Sequence, residues 1–228
     1  MLLATCIVFA SAVLRARLLQ CPTRQFQFVN IGDKAKICCN YAEKAELPGY
    51  FASWHKRKED AVPLLVYSCP EIKTVSRYVC RGEGQMLILE IKDAQVTDSG
   101  QYLCAMRDRG IYLGSSLIVG DSYTPSTRVT LLQPPAGEPP ALLRRHSPLA
   151  CLVQGVSNLV QVSWHTPEGP QRGSRTLLVK NSSGSLTFLK LLHVPANAHL
   201  SGGSVACEVR FNASGSSVKK SGWLPAGE

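Results

Sequence analysis

The sequence predicts an all-β chain folded as two tandem β-sandwiches, and three observations carry that prediction. The first is the run Asp98-Ser99-Gly100-Gln101-Tyr102-Leu103-Cys104, with an Asp six residues and a Tyr two residues ahead of a Cys. A Tyr there can bond back to the main chain and close a corner between strands, while the Cys two residues on shares its inward face. The second is alternation. Ala35, Ile37 and Cys39 interleave with Lys34, Lys36 and Cys38, and Leu87, Leu89 and Ile91 interleave with Ile88, Glu90 and Lys92, the period of strands with one face turned to a core. The third is an order of Cys, Trp and Cys on short strands that occurs twice, as Cys39, Trp54, Cys104 and as Cys151, Trp164, Cys207.

At 228 residues the chain suits two sandwiches of about 100 residues each. Residues 1–20 read as a signal peptide. Leu2, Leu3, Ile7, Val8, Phe9 and Val13 form an apolar core too short to span a bilayer, and Ala10-Ser11-Ala12 is the best small-x-small cleavage match. Arg15 and Arg17 leave the cut open anywhere up to residue 20. The first domain is expected over 21–121 and a linker over 122–126, where Gly120 to Thr127 carries turn-forming residues. The second domain follows over 127–222. It opens with Val129 and Leu131, continues through a loop at Pro134-Pro135-Ala136-Gly137-Glu138-Pro139-Pro140, and reaches Ala150-Cys151-Leu152-Val153. A strand over Ser185 to Leu192 and a turn at Ser201-Gly202-Gly203 then lead to Val205-Ala206-Cys207-Glu208-Val209. Residues 223–228 read as a tail. No later stretch is long and apolar enough for a membrane span.

Charge excludes some functions. The chain holds 25 Lys and Arg against 16 Asp and Glu, a formal net charge of +9, of which Arg15 and Arg17 would leave with the leader. The basic residues sit in short clusters, Lys56-Arg57-Lys58, Arg144-Arg145 and Lys219-Lys220, without the long runs or interleaved aromatics of a nucleic-acid binder. Weak attraction to acidic glycans is compatible with them. Of nine cysteines Cys6 would leave with the leader, and the eight that remain imply oxidised pairs and a secreted or extracellular protein. The histidines, His55, His146, His165, His193 and His199, show no metal-ligand spacing with a carboxylate between. There is no Cys-x-x-Cys, and Gly82-Glu83-Gly84 opens no helix. No catalytic residue, metal or cofactor is expected. Asn181-Ser182-Ser183 and Asn212-Ala213-Ser214 are N-glycosylation sequons.

These residues resemble the immunoglobulin superfamily, and the sandwiches are therefore expected to be immunoglobulin-like. Residues 21–120 resemble a variable-set domain, most of all the light-chain and T-cell-receptor type of framework. Trp54 looks like its core Trp, Arg77 and Asp98 like its salt bridge at the bottom of the domain, and Pro63-Leu64-Leu65-Val66-Tyr67 like an edge strand. Residues 127–222 resemble a constant-type (C1) domain through Cys207-Glu208-Val209, although Val205 and Arg210 stand where that family carries Tyr and His. The resemblance implies bridges Cys39–Cys104 and Cys151–Cys207 and a corner made by Tyr102. Four cysteines remain. Cys69 with Cys80 across the neighbouring edge is one pairing, Cys21 with Cys38 a second, and free or intermolecular thiols are the alternative.

The joining motif Phe-Gly-x-Gly of rearranged receptor chains corresponds here to Leu113-Gly114-Ser115-Ser116, and 223–228 lacks the terminal Cys that tethers a light chain. Both departures imply a germline-encoded, non-rearranging relative.

Binding is expected at the end loops and on one sheet face of the variable-like domain. Arg107, Asp108, Arg109, Ile111 and Tyr112 lie in or beside the loop after Cys104, and Tyr50 and Phe51 belong to an earlier loop. Charged hydrogen-bonding groups beside an aromatic anchor are common in binding hot spots. His55, Leu65, Leu103 and Leu113 are the expected pairing face. The resemblance implies an immune-type recognition protein, secreted or a soluble form of a cell-surface protein, that engages a protein ligand or receptor subunit as a monomer, homodimer or heterodimer. A surrogate or accessory chain that pairs with a receptor subunit is an alternative. An adhesion or matrix module binding acidic glycans is another.

Overall fold

The structure, a computed structural model, describes residues 26–40, 52–58, 62–69, 76–83, 86–106, 110–133, 146–171, 176–195 and 203–224. Its first sandwich consists of β1 (Phe26–Val29), β2 (Ala35–Asn40), β3 (Ala52–Arg57), β4 (Leu64–Cys69), β5 (Tyr78–Glu83), β6 (Met86–Ile91), a 3-10 turn (Val96–Asp98), β7 (Gly100–Met106) and β8 (Gly110–Val119). A five-stranded sheet in the order β1-β8-β7-β3-β4 faces a three-stranded sheet, β2-β6-β5. β1 runs parallel to β8 and the other neighbours are antiparallel.

Register follows from alternation, because a slip by one residue would turn every apolar side chain outward. Ala35, Ile37 and Cys39 lie opposite Ile91, Leu89 and Leu87. All six are buried against Trp54, Tyr102, Cys104 and Leu117 of the facing sheet. Burying each large apolar side chain is worth about 1.5–3 kcal/mol. Cys39 and Cys104 are bonded across the core with Cα atoms 6.3 Å apart.

A second bridge, Cys69–Cys80, joins β4 to β5 with Cα atoms 5.9 Å apart. It ties the edges of the two sheets, beside the Tyr67 and Tyr78 rings, whose centroids are 6.1 Å apart. Cys38 is also disulfide-bonded. Although it looks away from the main core, it is buried in a small cluster with Ile88 and Met86.

The second sandwich holds β9 (Arg128–Leu132), β10 (His146–Val156), β11 (Gln161–Thr166), β12 (Gly169–Gln171), β13 (Thr176–Lys180), β14 (Leu186–Pro195), β15 (Gly203–Arg210) and β16 (Ser217–Leu224). Sheet β13-β14-β10-β9 faces sheet β12-β11-β15-β16. Leu149, Cys151, Val153 and Phe188 pack against Val162, Trp164, Val205, Cys207 and Val209. Cys151 and Cys207 are bonded at a Cα separation of 6.1 Å. Trp223 and Leu224, expected in the tail, lie in β16, with Trp223 opposite Ser204 of β15. The Pro134–Pro140 loop and the Ser201-Gly202 turn lie outside the described residues.

The connection between sandwiches is tied down. Ser122 is buried, its Oγ donating to Leu159 O at 2.5 Å, and Thr124 Oγ1 donates to Gly155 O at 2.5 Å. Gly155 has φ +73°, and a Cβ there would stand 2.5 Å from Ser126 O, so only glycine lets the connection lie this close.

Candidate functional site

The outer surface of the five-stranded sheet is built by the residues that alternate with its core. Trp54, Tyr102 and Cys104 point in, so His55 and Leu103 point out. Cross-strand pairing then sets Leu65 opposite His55, His55 opposite Leu103, and Leu103 opposite Leu113. These four side chains form one row across β4, β3, β7 and β8.

The row is unevenly covered. Leu103 at its centre is only 7% exposed, shielded by its neighbours, whereas Leu65 and Leu113 at the ends are 61% and 70% exposed. Ile111, next on the same face of β8, is 73% exposed, and Leu64 and Val62 lengthen the apolar edge near β4. A row of Ser68, Ser53, Ala105 and Ile111 flanks it on one side. On the other, Arg57 lies opposite Gln101 and Gln101 opposite Ser116, with the Arg57 guanidinium donating to Gln101 Oε1. His55 Nε2 is hydrogen-bonded to Ser53 Oγ at 2.9 Å. An apolar centre with a polar rim is the composition of a protein interface.

A bulge shapes the β8 end of this face. Gln101 pairs with Ser116 and Leu103 with Leu113, so Gly114 and Ser115 together oppose Tyr102. Gly114 supplies the close approach: a Cβ there would be 3.0 Å from Tyr102 O and 3.4 Å from the Trp54 ring. Ser116, at the place of the joining motif's second glycine, continues the ladder. Ser115 is buried and its Oγ accepts from Gln27 Nε2 at 3.1 Å.

Beneath the face, Asp98 anchors the corner. Its carboxylate receives Arg77 Nη1 and Nη2 at 2.7 and 2.6 Å, Gln95 N at 2.8 Å and Tyr78 OH at 3.1 Å. Tyr102 OH donates to Asp98 O at 2.7 Å. Burial alone would raise the Asp98 pKa, but the bonds from Arg77, Gln95 and Tyr78 outweigh it and hold the carboxyl below its ordinary value. The bond to Asp98 raises Arg77 in turn, and burial raises the Tyr102 phenol.

Tyr112 departs from its expected role as an aromatic anchor in the loop. It lies on β8 opposite Cys104, half-buried and packed against the core cluster. The strands reach Met106 and resume at Gly110, so alternation turns Tyr112 inward and presents Ile111 and Leu113. Tyr50, Phe51, Arg107, Asp108 and Arg109 lie outside the described residues. Asn181 is exposed in the turn between β13 and β14, and Asn212 is buried.

Two features escape sequence reasoning. Glu90, expected to face solvent, is 4% exposed. Lys34 Nζ reaches it at 2.7 Å and Lys36 Nζ at 3.5 Å, and Arg81 also pairs with it. The signal was Lys36 directly opposite Glu90. The second feature is an apolar band on the outer surface of sheet β13-β14-β10-β9. Leu177 lies opposite Leu189, Leu189 opposite Leu152, and Leu152 opposite Thr130. Leu177 and Val179 are exposed, and Leu152 and Leu189 are partly so.

Among the described residues, no group of His, Cys, Asp or Glu could hold a metal ion. No helix among them is long and apolar enough to cross a membrane. Residues 26–117 match the immunoglobulin V-set domain family and residues 129–214 match the immunoglobulin C1-set domain family. No curated protein sequence matches the chain.

Proposed function

Because the chain belongs to the immunoglobulin superfamily, a V-set domain followed by a C1-set domain, we propose that it is an immune-type recognition protein that engages a protein partner through its V-like domain. Domains of these families are typically extracellular binding modules rather than enzymes. The observation that carries the reading is the row Leu65, His55, Leu103 and Leu113, continuous over four strands and exposed at both ends. Contiguous apolar surface of this kind marks interaction sites, whereas singly scattered apolar residues do not.

The apolar band on the second sandwich favours a partner of the same build. A chain pairing only through its first domain has no use for Leu152, Leu177, Val179 and Leu189 on the outside of its second. Two faces, one per domain, suit a second V-like and C1-like chain that docks along both, as a receptor subunit or a second copy. This supports the accessory-chain reading. Among the described residues, no comparable built feature supports glycan binding.

The test uses the secreted full chain, alone and mixed with candidate chains of V-set and C1-set build, with mass measured under native conditions. The expected result is a dimer or heterodimer that the double variant Leu65→Glu, Leu113→Glu disrupts by at least tenfold in Kd. Both positions are exposed, so the variant's melting temperature should stay that of the parent. A chain that stays monomeric and binds none of these partners, or an association indifferent to the double variant, overturns the reading.

A further inference from the structure

The two N-glycosylation sequons fold into the same local turn and differ in what the acceptor amide faces. Asn181 Oδ1 accepts from Ser183 Oγ and from Ser185 N, both at 2.8 Å, and Gly184 has φ 85°. Asn212 Oδ1 accepts from Ser214 Oγ at 2.7 Å and Ser216 N at 3.0 Å, and Gly215 has φ 88°. The matched geometry makes one site an internal control for the other.

Their amide nitrogens part company. Asn181 is exposed on the tip between β13 and β14, and its Nδ2 donates to the solvent-facing Ser185 Oγ at 2.7 Å. Asn212 is 9% exposed, and its Nδ2 donates to Asp121 Oδ2 at 2.9 Å, in the segment that joins the sandwiches. The surroundings belong to that joint. Ser122 N donates to Phe211 O at 3.2 Å, the Tyr123 ring meets Phe211 edge-on at 5.3 Å, and the Arg210 guanidinium lies 4.5 Å from the Phe28 ring centroid.

N-glycosylation attaches a sugar at the Nδ2 atom itself. Nδ2 loses a proton and forms an N–C bond to the anomeric carbon of a lipid-diphosphate-linked oligosaccharide. The C–O bond to the diphosphate breaks, and the lipid diphosphate leaves. At Asn181 the new sugar would project into water. At Asn212, which is 9% exposed, the amide would keep one N–H, but the sugar would have to fit against Asp121 and the segment that joins the sandwiches.

We propose that Asn181 carries the N-linked glycan of the folded chain and that Asn212 does not, because the Asn212 amide is committed to the joint between the domains. A sugar on Asn212 would crowd that joint, so the modification and the packed joint compete. The proposal is independent of what the V-like domain binds. It requires passage through an oxidising secretory compartment, which the disulfides support.

The test is site mapping on the wild-type full chain secreted from eukaryotic cells. Digestion with an N-glycosidase in heavy-oxygen water converts each glycosylated Asn to a heavy Asp, read by peptide mass spectrometry. The expected result is label at 181 and native Asn at 212. Asn181→Gln should remove the glycan, and Ser214→Ala, which destroys the second sequon, should leave the glycan pattern unchanged. Label at 212 in monodisperse folded protein, or label at neither site, overturns the proposal. Wild-type mapping decides the matter even if a variant fails to be secreted.

Discussion

Arg77 grips Asp98 with both terminal nitrogens of its guanidinium, at 2.6 and 2.7 Å. The carboxylate is almost wholly buried while the arginine keeps about a third of its side chain in solvent. Removing the arginine therefore strands a buried charge. Arg77→Ala should destabilise the first domain by about 2–4 kcal/mol, somewhat below a fully buried pair because of that exposure. Arg77→Lys should recover part of the loss, since a point charge cannot reproduce the two-pronged contact. Urea unfolding of the full chain, followed through Trp54, measures both. A loss under 0.5 kcal/mol for Arg77→Ala, inside the usual range for surface substitutions, would contradict the assignment.

The same carboxylate makes stability depend on pH. Its folded pKa lies below the ordinary value because its donors outweigh burial. The stabilisation is thus complete above the unfolded pKa of about 4 and is lost as pH falls through it toward the lower folded value. The denaturation midpoint should decline from about pH 5 downward, and Asp98→Asn should flatten that decline. Equal slopes for the wild type and the variant would show that other carboxylates control the acid limb.

Much of this architecture was legible because alternation assigns faces without knowledge of partners. His55 and Leu103 must point opposite to Trp54 and Cys104, so the outward row follows from the core. What alternation leaves out is where a strand ends: nothing local shows that pairing resumes at Gly110, so Tyr112 reads as a loop residue until β8 is aligned. Register hides the rest. Glu90 looks like a surface residue until β2 and β5 bring Lys36 and Arg81 beside it, and Leu152, Leu177 and Leu189 make a band only once their strands are aligned. Asn212 is the extreme case. Its amide is bonded to Asp121 of the connecting segment, ninety-one residues earlier, and no window of sequence contains both.

The Cys69–Cys80 bridge bears on the proposed docking row, since it holds the edge strand that carries Leu65. The two residues are 11 apart, and closing so short a loop is worth about 3 kcal/mol in the chain-entropy account. Replacing both with Ser should lower stability by about 2–3 kcal/mol and leave the domain folded around Cys39–Cys104. Association through the face should weaken with it, because β4 would no longer be pinned to β5. Hydrogen exchange resolved to residues 64–69 should speed up in the variant while β7 stays protected. Unchanged exchange in β4 would show that pairing with β3 alone holds the edge.

Asn158 is the other amide of the elbow, and its loss should act on domain orientation more than on either core. Its Nδ2 donates to Ser99 Oγ at 2.8 Å and to Val119 O at 3.0 Å, both in the first domain, although Asn158 belongs to the second. Ser99 Oγ in turn accepts from Val119 N at 2.9 Å. One buried side chain thus bonds the start of β7 and the end of β8 to the neighbouring sandwich. Asn158→Ala removes a buried donor from Val119 O and one of the two donors from Ser99 Oγ, which keeps Val119 N, at about 1–3 kcal/mol. That loss is expected at the joint, because the acceptors' main-chain ladders within each sheet remain. Small-angle scattering should show a larger radius of gyration for the variant, and protease should cut the 120–127 segment faster, while near-ultraviolet spectra of the buried Trp54 and Trp164 stay the same. A variant with unchanged scattering and cleavage would show that Ser122, Tyr123 and Phe211 hold the elbow without it.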